Sequence, residues 1–149
     1  NVPFSCFFSK KYISSDKERI RKIRELGGIY SFGLFKVFSK GLLESYGPLP
    51  LSVKNLINMR SLSLFSCKLS IRKVVYSENS FSLFFDESFR GADKLLSFLN
   101  NKGSAYFIKN HFFKKTDGFV LVVLVLQKTV VSVLDLKIII KGLYEFCQK

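Results

Sequence analysis

FVLVVLVL, residues 119–126, is the longest apolar run of the chain, and its conformation determines the architecture around it. Eight residues cannot cross a bilayer as a helix, which takes ~20. The Val content favours an extended strand. Just before it, AYFIKNHFF (105–113) reads as a second strand and KKTDG (114–118) as a turn, so the two runs form a hairpin. Just after it, QKT (127–129) reads as a further turn and VVSVLDLKIII (130–140) as a third strand. Lys128 and Asp135 keep this second apolar stretch from extending the first.

Further from the hairpin, IRKVVY (71–76) and FSLFF (81–85) read as strands. ESFRGADKLLSFLNNKG (87–103) reads as a helix with Leu95, Leu96, Phe98 and Leu99 facing inward and Gly103 as a left-handed cap. LSVKNLINMRSL (51–62) has helical apolar spacing at Val53, Leu56 and Ile57, with Ser52 placed to cap it. GPLP (47–50) breaks the chain, because Pro48 and Pro50 cannot continue a helix. Upstream, residues 29–45 read as a bent helix containing Gly33 and Gly41. Residues 15–26 read as a helix opened by a Ser15/Glu18 capping box, stopped by Gly27 and Gly28, with a narrow apolar stripe of Ile20 and Ile23. Residues 1–13 read as an aromatic and basic arm without a secretory layout. The predicted fold is α+β. A helix-strand-helix-meander core (α-β-α-β-β-β) spans residues 50–149, and a helical basic extension spans 1–49.

Charge points to a partner class. There are 24 Lys and Arg against 11 Asp and Glu, a net +13 that repels itself in a compact fold and suits a polyanion. The cations are spread along the chain, apart from a window between Lys73 and Arg90, which suggests wrapping by nucleic acid. Seventeen Phe beside abundant Leu, Ser and Lys fit T- and A-rich codons and so an organellar genome. Cys6, Cys67 and Cys147 are odd in number and far apart, as for reduced structural thiols. A single histidine, His111, leaves too few ligands for a zinc site.

From residue 50 onward the order of elements resembles the N-terminal domain of the universal small-subunit ribosomal protein eight family. NLINMRSL (55–62) stands where that family has M-L-T-R-I-R-N-A, which puts Arg60 on its basic position. SFRGADKLLSFLNNKG (88–103) matches the length of its Ser-started helix. QKTVVSVL followed by KIIIKGLYEF puts Lys141-Gly142-Leu143 near its Pro-Gly turn. The family's C-terminal Ser-Thr-Ser-Gly domain has no counterpart. IYSFG (29–33) resembles small-subunit ribosomal protein thirteen, and GPLPL (47–51) resembles a loop of protein ten. The resemblance implies a structural constituent of a mitochondrial small ribosomal subunit, with rRNA and neighbouring ribosomal proteins as partners. The alternative is a non-catalytic subunit of another organellar assembly, peripheral to a membrane.

No enzyme chemistry is expected. His111 has no orienting partner in sequence, Asp86 and Glu87 would point to opposite strand faces, and no phosphate loop or nucleophile elbow occurs. No cofactor, metal, small-molecule substrate or transmembrane segment is expected. Basic residues beside aromatic ones suit phosphates and unstacked bases. The candidate RNA-binding residues are Arg19, Arg21, Lys22, Arg24, Lys54, Arg60, Lys68, Arg72, Lys73, Arg90, Lys94, Lys109, Lys114, Lys115, Lys137 and Lys141.

Overall fold

The structure, a computed structural model, describes residues 4–77, 79–116, 118–129 and 132–148. The chain is α+β, and it divides into two compact units: Phe4–Leu64, and a second that begins at Phe65. The division expected at residues 47–50 therefore differs from the one observed, which falls inside a helix. Each unit has its own interior.

The first unit holds α1 (Asp16–Gly27), α2 (Gly33–Tyr46) and most of α3 (Leu51–Lys68). Ser15 caps α1 by accepting from the Glu18 N–H at 3.2 Å, and the Gly28 N–H closes the other end on Arg24 and Glu25 carbonyls. α3 opens at Pro50, whose carbonyl accepts from Val53 and Lys54, so Ser52 lies inside the first turn instead of capping it. Ile13, Leu26, Phe38, Leu42, Val53 and Ile57 are among the side chains that close the core, so residues before 50 pack with residues after it. The α1 stripe is inverted relative to expectation. Ile20 and Ile23 are outside, while the stems of Arg19 and Lys22 lie against the unit with 14% and 16% of their side chains exposed.

The second unit is a four-stranded antiparallel sheet with two helices. Its strands are β1 (Ile71–Ser77), β2 (Ser80–Asp86), β3 (Ile108–Thr116) and β4 (Phe119–Leu126), in the order β1-β2-β4-β3. Two hairpins thus join through β2 and β4, with Phe81 opposite Leu124 and Leu83 opposite Val122. Helix α4 (Ala92–Lys102) runs into a 3-10 turn, Gly103–Tyr106, and helix α5 spans Val133–Cys147. Phe81, Leu83, Phe85, Val122 and Leu124 are buried on one sheet face, and α4 and α5 bury Leu95, Phe98, Leu136 and Ile140 as the layer over it.

Three local expectations change. The apolar stretch after QKT is α5, and Val130 and Val131 lie outside the described residues. Val133, Leu136, Ile139, Ile140 and Leu143 are all buried at helical spacing, and the second neighbour of β4 is β2, so no place remains for a third meander strand. Gly103 is right-handed; the left-handed residue is Phe107, at φ 63°. Leu96 faces outward from α4.

Candidate functional site

The sixteen candidate cations are divided between the two units, six in the first and ten in the second. In the first unit most serve the fold. Arg19 pairs with Asp16 and donates to the Ile13 carbonyl at 2.6 Å. Arg21 pairs with Glu18 at 2.7 Å, and Lys22 pairs with Glu25 at 3.1 Å while lying over the Phe38 ring. Arg24 is exposed in the last turn of α1, and Lys54 is exposed on α3. Arg60 donates to the Ile29 carbonyl at 2.9 Å and lies 5.0 Å over the Tyr30 ring, so it joins two segments of the interior.

In the second unit Lys68 ends α3. Arg72 pairs with Asp86 at 3.0 Å. Asp86 also accepts the Ser88 N–H at 2.8 Å, and this bond, followed by Arg72, holds its carboxyl below the ordinary Asp range. Arg90 donates to the Glu87 carbonyl and Lys94 to the Cys147 carbonyl. Lys109, Lys114 and Lys115 stand exposed on edge strand β3. Lys137 is pulled below the usual lysine range by burial and then by Lys141, which itself faces Glu145 at 3.9 Å. His111 packs edge-on to Phe113, as a structural side chain would. Burial pushes the Cys6 and Cys147 thiols up. Among the described residues there is no group of three or more His, Cys, Asp or Glu able to hold a metal, and no helix is long and apolar enough to cross a membrane.

One arrangement does gather residues with a common property: the sheet face turned away from α4 and α5. The register places Lys73, Phe84, Leu121 and Lys114 in one row across all four strands. Val75, Ser82, Val123 and Phe112 form the next row. Phe119 meets Phe84 edge-on at 6.1 Å, and the Lys73 ammonium lies 5.3 Å over the Phe84 ring. Phe112 is 55% exposed, and the aliphatic residues between are partly buried. The sequence placed Lys73 and Lys114 among the candidate RNA-binding residues, with no sign of the apolar face between them. The missed signal was the unbroken apolar run of β4, since strands that alternate inward and outward on a half-solvated sheet alternate in polarity.

Comparison with known proteins overturns the ribosomal resemblance. Residues 2–93 match the family described as the TRCF domain. The transcription-repair-coupling factor of Rickettsia bellii (strain RML369-C) is 25% identical over 100 residues, which covers 67% of this chain and 9% of that protein. Its counterpart in Rickettsia prowazekii (strain Madrid E) is 24% identical over 109 residues, 73% of this chain and 10% of that protein. The chain thus spans about a tenth of the length of these curated relatives. A solved structure, the C-terminal domain of a transcription-repair coupling factor, superposes with a TM-score of 0.76 at 16% identity, over 99% of this chain and 87% of the other. The expectation of a ribosomal protein eight, thirteen or ten, with rRNA and ribosomal neighbours in a mitochondrial ribosome, does not stand, and neither does the membrane-peripheral organellar alternative. The physical reasons are local: Arg60 is spent on the Ile29 carbonyl, and Lys141-Gly142-Leu143 lie within α5 instead of in a turn. With more than half of its residues matched by that family, the chain belongs to the TRCF domain family.

Proposed function

We propose that this chain is a non-catalytic module of a transcription-repair coupling factor, one that binds protein and carries out no chemistry of its own. The family match over residues 2–93 carries the reading. Its likeness in fold to a C-terminal domain of such a factor supports it, as does the engagement of Asp86 by Arg72 and the Ser88 N–H. The names of the relatives couple transcription to repair, so the partners assigned to the chain belong to those two machineries. The test is strand-specific repair. Disrupting the region that encodes this chain in its source cell, followed by ultraviolet damage, should abolish the faster repair of transcribed strands. Equal retention of that advantage would remove the assignment.

A further inference from the structure

We propose that the open sheet face of the second unit is a docking surface for an amphipathic helix of a partner protein, one with acidic residues on both flanks of its apolar stripe. The inference deepens the protein-binding reading above and rests on it. A sheet that is apolar on both faces is the middle layer of three. α4 and α5 cover one face here. The other presents Val75, Phe84, Leu121 and Val123, all partly exposed, and Phe112, with neither α4 nor α5 on that side.

Charge decides what fits. Lys73 and Lys114 close the two ends of one cross-strand row, three strand spacings or about 14 Å apart. Neither makes an ion pair among the described residues. A helix is about 10–12 Å wide with its side chains. Laid along the strands, it would rest its apolar stripe on Leu121 and Val123 and bring one carboxylate to each lysine. A second copy of this chain would set lysine rows against each other, which disfavours self-pairing. Single-stranded nucleic acid is disfavoured by β4, whose contribution to the centre of the face is Leu and Val: aliphatic side chains offer no ring for base stacking. Phe84 and Phe119 pack edge-on to each other and not as parallel platforms.

Photo-crosslinking in the source cell tests this with the full chain. The probe is p-benzoylphenylalanine at position 112, a near-isosteric change at an exposed ring, with the same probe at position 30 as the control. The expected product is a crosslink unique to position 112. Its partner peptide should have apolar residues at helical spacing and Asp or Glu on both flanks. Lys114→Glu should lower the yield about tenfold, as reversal of a docking charge does. Lys114 is exposed on an edge strand, so this variant should keep the unfolding temperature of the parent; Lys73→Glu serves as the second variant. A crosslink to nucleic acid, to a second copy or to a segment without carboxylates would overturn the proposal. So would the absence of a position-specific product, or a yield unmoved by both charge reversals. If transcribed-strand repair depends on the chain but the crosslink fails, only the surface is wrong. If the crosslink succeeds without any repair role, only the parent reading is wrong.

Discussion

Gly142 lies buried in α5, where a Cβ would clash with the hydroxyl edge of the Tyr106 ring. That ring is held 5.2 Å from Phe98, so it cannot swing away freely. Gly41 lies within α2 with nothing near its missing Cβ. The two glycines should respond oppositely to the same change. Gly142→Ala should destabilise by about 1–3 kcal/mol from overpacking, in spite of better helix propensity. Gly41→Ala should stabilise by about 0.5–1 kcal/mol. Chemical denaturation of both variants checks this, and equal shifts would contradict it. Asp86 gives a pH prediction. Its folded carboxyl is held low by the Ser88 N–H and by Arg72, so its contribution is present above the ordinary Asp range and is lost as the pH falls through the lowered value. Asp86→Asn should therefore flatten the acid limb of the unfolding midpoint plotted against pH. Neither role could be read from sequence, because both depend on partners brought in by the fold.

The pairing of 71–76 with 81–85 and of 105–113 with 119–126 was legible in outline, because β-branched and aromatic runs between turn signals have few other uses, although β3 starts at Ile108 and continues to Thr116 through most of the turn expected at 114–118. Helix α5 was not. VVSVLDLKIII is rich in β-branched residues, and propensity hid a helical period that tertiary burial then enforced. The end of α3 was hidden as well. Ser70 sits at φ 62° just past the helix, its N–H bonded to the Cys67 carbonyl and its own carbonyl accepting from Asp86. A non-glycine residue there carries a backbone cost of about 1–2 kcal/mol. Ser70→Gly should recover about 1 kcal/mol of it as a raised unfolding temperature, while Ser70→Val should lower that temperature.

For the whole chain, the order of apolar runs and turn signals predicted the α+β class, while composition misdirected the functional reading. A net +13 says that anions will be attracted, and it does not say which ones. Asp16, Glu18, Glu25 and Asp86 fix four of the cations in intrachain pairs, which leaves the net charge unchanged. The segment 47–50 illustrates how far a break in sequence differs from a break in structure. The Tyr12 hydroxyl donates to the Gly47 carbonyl at 2.9 Å, which ties the proline loop to the first unit. Chymotrypsin should therefore cut poorly after Tyr46 in the native chain. Tyr12→Phe removes one hydrogen bond of about 0.5–1.5 kcal/mol, and cleavage there should quicken about two- to tenfold. Rapid cutting of the parent at Tyr46 would restore a boundary at the prolines.

The uncovered sheet face has a colloidal consequence. An apolar surface left bare invites association, and on this chain mutual repulsion between molecules is the force opposing it. That repulsion vanishes near the isoelectric point of about 9.8. The isolated chain should stay dispersed at neutral pH and low salt, then scatter light as alkali or salt removes its charge. Leu121→Lys, which puts a charge in the middle of the bare face, should move the onset of turbidity to higher salt; an unchanged onset would show that the particles meet through some other surface.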